Sequence, residues 1–344
     1  MRILLIAALL GSVVFETHQL AGQTQADLAE TKTTIPSDQA DSQQPSETVV
    51  AADDQETPSR FNLPIKTTGG TQVWTDHAYR AGYRVQEHSL TGHFRLLDPS
   101  NIRRAWGTKG QCLTALDELS PAAATPAQPQ HVAVLLHGLM RTNHSMKPLE
   151  ISLREKGLDD VIRFSYASTR RSIDDHAAAL RNILEAQPAN TQFSFAGHSM
   201  GNIVVRRLVG DLQAAGDPAN ILPRCRSMVM LGPPNQGASI SRRLAPTGLY
   251  GLVTGKGGME LGPEWDEFAK KLATPPFPFA IVAGDVSANR IQNPLVSGDG
   301  DFVVSLDEAK LDGSAEFHTL PVLHSFLMND ARAVELAVEF ITKH

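Results

Sequence analysis

The alternation of apolar runs with amphipathic segments, which begins at His131, constrains the fold of this chain more than any other feature. The run His131–Leu136 is almost entirely apolar, as is typical of a strand buried on both faces of a sheet. Further along, the segment 174–184 places Ala177, Leu180 and Leu184 on one side of a helix. Strands that alternate with helices in this way predict an α/β fold with a mostly parallel central sheet and helices on both faces.

The predicted elements follow one another at short intervals. Strands are predicted at 131–136, 161–167, 192–196, 227–231, 279–283 and 318–322, and helices at 174–184, 202–212 and 330–342. Before this series, the segments 83–89 and 93–97 are predicted to form an antiparallel hairpin around Thr91-Gly92, and 108–119 a helix. We therefore predict one domain at 69–344, with its core at 131–344 and an extension at 69–130 whose strands edge the sheet.

The first 68 residues differ in composition from the rest. Arg2, the apolar run 3–15 and the small residues Ala21 and Gly22 predict a signal peptide at 1–22. The protein is then expected to be exported, either to the periplasm or to the medium, with no stable membrane span after cleavage. An uncleaved N-terminal anchor is the alternative. Residues 23–68 are mostly polar and acidic and predict a disordered linker.

The net charge of the chain is concentrated in this linker. Residues 23–60 contain eight acidic and two basic side chains, which account for the whole formal net charge of −6. The remaining chain is neutral, so its charge indicates no binding to nucleic acid or to an anionic membrane surface.

The pentapeptide G-H-S-M-G at 197–201 lies between a predicted strand and a predicted helix. In that context a sharp turn lifts a serine above the end of the sheet, where it can act as a nucleophile. The turn leaves no room for side chains on either side, which explains Gly197 and Gly201. We therefore predict Ser199 as the nucleophile, with an ordinary Gly/Ser turn as the alternative.

Two further segments supply partners for such a serine. L-L-H-G-L at 135–139 follows the first core strand, and the backbone N–H groups of Leu139 and Met200 are the predicted donors to an oxyanion. His324 follows the last predicted strand and can accept the serine proton. His198 adjoins the serine, but its side chain is expected to leave the turn in the other direction.

Three segments together resemble bacterial lipases and esterases of the α/β-hydrolase superfamily, including its lipase-like branch with the GPI inositol-deacylases. They are V-L-L-H-G-L (134–139), A-G-H-S-M-G (196–201) and V-M-L-G-P-P-N-Q-G (229–237). The resemblance covers about His131 to His344. It implies an α/β-hydrolase fold, an oxyanion hole at Leu139 and Met200, and a nucleophile, acid and base in that chain order.

Three aspartates are candidates for the acid, namely Asp285, Asp299 and Asp301. Similar proteins often carry the acid in a D-G-x-V motif, whereas this chain reads D-G-D-F-V-V-S-L-D-E-A at 299–309. One register keeps the glycine and places the acid on Asp299. The other aligns the following residues and places it on Asp301, with Phe302 where the motif has glycine. We predict Asp301, and the other two remain open.

These features predict a serine hydrolase that cleaves carboxylic esters through an acyl-enzyme and needs no cofactor or metal. Amide or thioester cleavage by the same triad is one alternative, and a catalytically silent binding protein is another. The expected substrate is a small-molecule or lipid ester, because the segment 239–276 combines apolar residues with glycines, as a lid over an acyl pocket would. A packed helical insertion over the same residues is the alternative to a lid.

Cys112 and Cys225 are expected to be buried thiols, although export would permit a disulfide.

Overall fold

The computed structural model describes residues 64–70, 72–122, 128–245, 249–289, 293–296 and 298–344. The predicted signal peptide and most of the predicted linker lie outside these residues. The second of two compact units spans Arg60–His344 and contains all the elements described below.

The first five strands form a sheet of their own, here called the N-terminal sheet. They are β1 (Ile65–Lys66), β2 (Trp74–Arg80), β3 (Tyr83–His88), β4 (Phe94–Leu97) and β5 (Ile102–Gly107), in the antiparallel order β1-β5-β4-β3-β2. Helix α1 (Lys109–Leu119) begins at a capping box on Thr108 and packs Cys112 and Leu116 against this sheet. The predicted hairpin and helix are thereby confirmed.

The prediction that these strands edge the main sheet is wrong. Short turns join β2 to β5, so each of these four strands pairs with its neighbour in sequence, and β1 pairs with β5 to complete a separate sheet. The N-terminal sheet meets the core just beyond the second core strand, where the Asp76 N–H donates to the Ser165 carbonyl at 2.8 Å.

The main sheet has six parallel strands. They are β6 (His131–Leu136), β7 (Asp160–Phe164), β8 (Gln192–His198), β9 (Cys225–Leu231), β10 (Phe279–Gly284) and β11 (Glu316–Leu320), in the order β11-β10-β9-β8-β6-β7. Every predicted core strand is present. The second ends three residues earlier than predicted, and the last begins and ends two residues earlier.

Helices cover both faces of this sheet. They include α2 (Lys147–Glu155), α3 (Ile173–Glu185), α4 (Met200–Ala215) and, at the C-terminus, α9 (Ala331–Lys343). Side chains alternate along each strand, so Val132 and Val134 join the core under α3 and α4, whereas Ala133 and Leu135 join the core under α2 and α9. The strand order and the helices on both faces confirm the predicted α/β-hydrolase fold.

The segment between β9 and β10 is a helical insertion, here called the cap. It contains α5 (Ser239–Leu244), α6 (Leu249–Glu260) and α7 (Trp265–Phe268), and α6 is kinked at Gly255, where φ is 64°. Leu261, Trp265 and Phe268 belong to the main core, so the second half of the cap is packed against the domain. Between β10 and β11 lies the short helix α8 (Leu306–Ala309).

Both cysteines are free thiols. Cys112 lies in the core of the N-terminal sheet, whereas Cys225 packs against the main core. Burial raises the pKa of Cys112 to about 11 and that of Cys225 to about 12, so both are expected to be poor nucleophiles. Within the described ranges, no helix combines the length and the hydropathy that crossing a membrane requires.

Candidate active site

Ser199 occupies the sharp turn between β8 and α4. Its φ of 52° and ψ of −121° are rare for a residue other than glycine. A Cβ atom on Gly197 would lie 2.4 Å from Asn202 Oδ1, and one on Gly201 would lie 2.6 Å from the Leu136 carbonyl. Both flanking positions therefore exclude side chains, as the motif predicts.

The end of β9 fixes this turn. The Ser199 N–H donates to the Leu231 carbonyl at 2.9 Å. The Asn202 side chain donates to the carbonyls of Ser199 and Leu231, at 3.1 and 3.3 Å. A strained conformation persists where its surroundings hold it in this way.

The predicted oxyanion donors lie next to the serine. Residues 137–141 form a loop, here called the oxyanion loop, and a Cβ atom on Gly138 would lie 3.2 Å from Ser199 Cβ. Met200 is the first residue of helix α4, so its N–H has no acceptor within the helix. Among the described residues, neither the Leu139 N–H nor the Met200 N–H has an acceptor.

His137 stiffens the base of this loop. Its ring is fully buried and stacks on Tyr166, with 4.0 Å between the ring centroids. The Tyr166 hydroxyl in turn donates to the His137 carbonyl. Burial lowers the pKa of His137 to about 4, so the ring is neutral near pH 7. These contacts give His137 a structural role at the start of the oxyanion loop.

His324 and Asp301 are hydrogen-bonded. His324 begins the short 3₁₀ helix that follows β11, and its Nδ1 lies 2.7 Å from Asp301 Oδ2. The backbones are also paired, since the His324 N–H donates to the Asp301 carbonyl at 2.9 Å. Both side chains are buried.

The other two candidate acids are placed differently. Asp285 accepts hydrogen bonds from the backbone N–H and the hydroxyl of Ser287, in a local turn after β10. Asp299 is exposed at the surface. Of the three aspartates, Asp301 is the one that the fold brings to His324.

The glycine of the L-G-P-P segment leaves the space that the His324 ring occupies. Gly232 follows β9 with φ of 54°, and a Cβ atom there would lie 3.1 Å from His324 Nδ1. Leu231, one residue earlier, holds the Ser199 N–H. The imidazole and the serine therefore both lie at the carboxyl end of β9.

The His198 side chain lies beside His324. Its ring centroid is 4.9 Å from that of His324, and its Nε2 lies 3.0 Å from the His324 carbonyl. A carbonyl only accepts, so Nε2 carries the proton. Burial, with His324 nearby, lowers the pKa of His198 well below its usual range, so the ring is neutral. Sequence position alone gives no signal for this contact, which joins residues 126 positions apart.

The sequence matches no model of a protein family, and no curated protein matches it. Similar solved structures include the mature lipase BlEst2 of Bacillus licheniformis, at 16% identity and a TM-score of 0.49 over 64% of this chain and 94% of that one. Another is the metagenomic carboxyl esterase MGS0156, at 13% identity and a TM-score of 0.44 over 64% and 76%. The RedJ thioesterase of Streptomyces coelicolor has 17% identity and a TM-score of 0.39 over 67% and 100%. The resemblance to lipases and esterases thus has counterparts among solved structures, whereas the link to GPI inositol-deacylases stays a prediction.

Proposed function

We propose that this protein is a serine hydrolase that cleaves carboxylic esters, with Ser199 as nucleophile, His324 as base and Asp301 as acid. The observation that carries the proposal is the 2.7 Å hydrogen bond between His324 Nδ1 and Asp301 Oδ2. This hydrogen bond lies at the carboxyl end of the parallel strands, where the strained turn of Ser199 also lies. An acid, a base and a strained serine turn that the fold brings to the same end of the sheet are the arrangement of a catalytic triad.

The first half-reaction forms an acyl-enzyme. Asp301 accepts the Nδ1–H of His324, which leaves a lone pair on Nε2. This nitrogen takes the Ser199 hydroxyl proton as Oγ attacks the ester carbonyl. The oxyanion that forms accepts hydrogen bonds from the N–H groups of Leu139 and Met200. His324 then protonates the leaving alcohol oxygen, and the ester C–O bond breaks.

The second half-reaction releases the acid. Water takes the place of the alcohol, and His324 Nε2 accepts one of its protons as its oxygen attacks the acyl carbon. The second tetrahedral oxyanion uses the same two N–H donors. The bond to Ser199 Oγ then breaks, and the proton on His324 returns to the serine.

The cap favours an apolar acyl group. A Cβ atom on Gly257 would lie 2.9 Å from Met200 Sδ, so α6 packs directly on the residue after the nucleophile. A substrate between the oxyanion loop and the cap would be shielded from water, and ester chemistry benefits from such a site. We therefore propose small or lipid-like esters as substrates.

The test combines a covalent probe with turnover. The purified protein is treated with a fluorophosphonate and assayed on p-nitrophenyl esters of increasing acyl length. Ser199→Ala is expected to abolish both labelling and turnover, since the variant lacks the hydroxyl that forms the covalent bond in both reactions. The control is Ser314→Ala. Ser314 lies two residues before β11, at the amino end of the parallel strands, whereas Ser199 lies at their carboxyl end. Retention of esterase activity by the Ser199 variant would refute the proposal. If the protein cleaved amides but not esters, the proposed activity would be that of an amidase with the same triad.

We also propose export, on the basis of the N-terminal sequence. A tagged full-length chain is expected outside the cytoplasm, and deletion of residues 1–22 is expected to retain it inside. Cell fractionation measures both. Cytoplasmic full-length protein would contradict the proposal.

A further inference from the structure

We propose that Gln72, a residue of the N-terminal extension, is a positioning residue that holds the oxyanion loop in its reactive shape through Ser168. The inference rests on the proposed function, since it assigns a support to the oxyanion hole of that reaction. The extension would then be part of the catalytic apparatus and not only a covering of the core.

The hydrogen bonds around Gln72 have a fixed direction. The Gln72 side chain contacts the Arg141 carbonyl, which can only accept, so the amide nitrogen must face it. Gln72 Oε1 therefore faces Ser168 and accepts its hydroxyl proton, at 2.8 Å. The Ser168 oxygen then has lone pairs left, and one of them accepts the Met140 N–H at 3.1 Å.

This chain of bonds encloses a strained residue. Met140 has φ of 60°, in the left-handed region that disfavours residues other than glycine. Its N–H is held by Ser168, and the carbonyl of the next residue is held by Gln72. Leu139, whose N–H is a proposed oxyanion donor, directly precedes Met140. Relaxation of Met140 would turn the adjoining peptides, and the two bonds oppose that motion.

Ser168 donates its hydroxyl proton to Gln72 inside the folded protein, where bulk water does not reach it. It is fully buried. Without Gln72 Oε1, its hydroxyl proton would lose its acceptor or turn to another, and the bond to Met140 would change with it. Gln72 therefore supports the oxyanion loop through its hydrogen bond to Ser168.

The extension delivers Gln72 to this place through β2. The Asp76 carboxylate accepts the Ser165 N–H at 2.8 Å, and the Thr75 hydroxyl accepts the Ala167 N–H at 3.1 Å. Together with the backbone bond from Asp76 to Ser165, these contacts align β2 with the segment that ends in Ser168. Because Gln72 precedes β2 by two residues, the same alignment brings it opposite Ser168.

The experiment compares Gln72→Ala with Tyr79→Phe. Tyr79 also joins β2 to the core by one hydrogen bond, from its hydroxyl to Asp160 Oδ2 at 2.7 Å, but at the amino end of β7, away from the oxyanion loop. For Gln72→Ala we expect kcat on a p-nitrophenyl ester to fall by roughly tenfold to a hundredfold, less than complete loss of one oxyanion donor costs. KM should stay within about twofold, because substrate binding precedes the charge that the hole stabilises. Tyr79→Phe should keep its kcat.

Three further readouts separate positioning from stability. Phenylboronic acid forms a tetrahedral adduct on the serine, and its affinity should fall in Gln72→Ala by about the same factor as kcat. Gln72→Glu keeps an acceptor for Ser168 and should recover part of the loss. Combining Gln72→Ala with Ser168→Ala should cost little more than the larger single effect, because the two residues act as a unit.

Two results would overturn the inference. One is a Gln72→Ala protein with wild-type kcat while Ser199→Ala is inactive, which would leave the proposed function intact. The other is a loss of kcat that Tyr79→Phe matches, which would reduce Gln72 to a general contact of the interface. If Ser199→Ala remained active, the proposed function itself would fail.

Discussion

At the scale of single residues, the hydrogen bonds of Asp301 explain how this aspartate, of the three candidates, can orient the imidazole of His324. Asp301 Oδ1 accepts the N–H groups of Val303 and Val304, at 3.0 and 2.7 Å. Oδ2 is thereby turned toward His324 Nδ1. The carboxylate is held on both sides, so it can set the orientation and the tautomer of the imidazole.

We predict that Asp301→Asn lowers kcat by a factor on the order of 10⁴. The two N–H donors facing Oδ1 require the amide oxygen there, which turns the NH₂ group toward His324 Nδ1. The imidazole must then carry its proton on Nε2 and cannot accept the serine proton. Asp285→Asn and Asp299→Asn serve as matched controls in the same assay. Near-normal kcat in Asp301→Asn, with a large loss in either control, would move the acid to that control's position.

Phe302, the next residue, stands where similar proteins often have glycine. Its φ of 83° lies in the left-handed region, and the Asn293 side chain holds its carbonyl at 2.7 Å. Phe302 therefore adopts a backbone conformation that glycine would adopt without steric cost. The conformation costs about 1–2 kcal/mol for a residue with a Cβ atom.

We predict that Phe302→Gly has a higher melting temperature than Phe302→Ala. At most positions the order is the reverse, because glycine gains more entropy on unfolding. At this φ the alanine variant keeps the steric strain and the glycine variant loses it, while both lack the ring. Thermal unfolding followed by circular dichroism measures the difference. A more stable alanine variant would show that the left-handed conformation is absent in solution.

At the scale of elements, one contact joins the cap to a helix of the core. Glu260, the last residue of α6, accepts the N–H of Ile173, the first residue of α3, at 2.7 Å. Burial raises the pKa of this carboxyl, and the hydrogen bond from Ile173 offsets only part of the effect. The pKa rises from 4.5 to about 7.

This shift predicts a loss of stability as the pH rises. The folded protein binds a proton on Glu260 more tightly than the unfolded chain, so its contribution to stability is full below pH 4.5. It decreases as the pH rises toward 7 and is constant above that. Glu260→Gln keeps an acceptor for Ile173 but has no proton to lose. We expect it to reduce the drop in melting temperature between about pH 5 and pH 8.

The matched control for this prediction is Glu267→Gln on α7, whose side chain is 83% exposed. Its melting temperature should follow the wild-type curve across the same pH range. Parallel curves for Glu260→Gln and the wild type would show that Glu260 does not titrate with folding.

At the scale of the whole molecule, the N-terminal sheet and the main sheet are joined by several contacts of β2. The compact unit begins at Arg60, and β2 contributes the bonds from Thr75 and Asp76 to the core. Tyr79 also belongs to the main core. The sheet is therefore joined to the core by buried polar and apolar contacts together.

We predict that a chain starting at residue 61 keeps the melting temperature and the esterase activity of the protein from which only residues 1–22 are removed. A chain starting at residue 82 is expected to lose cooperative unfolding, because it leaves the Ser165 N–H buried without its acceptor and removes Tyr79. Calorimetry on the two proteins checks both expectations. A large loss of stability in the longer chain would assign a structural role to the predicted linker.

The sequence by itself determined the features that depend on neighbours along the chain. Apolar runs such as 131–136 identify buried strands, because a strand covered on both faces has no polar side. The glycines around Ser199 identify the turn, because steric clashes with Asn202 and Leu136 exclude any side chain there. Both signals are written within a few residues, so they can be read without the fold.

Only the tertiary structure decided which distant residues meet. Asp285, Asp299 and Asp301 carry the same carboxyl group, so the sequence does not distinguish them. Asp301 and His324 are 23 positions apart, and they meet only because β10 and β11 pair in the main sheet. The same holds for His198 beside His324, for Gln72 at the oxyanion loop, and for the separate N-terminal sheet. Hydrogen bonds depend on distances of about 3 Å in space, and sequence spacing does not determine those distances across a fold.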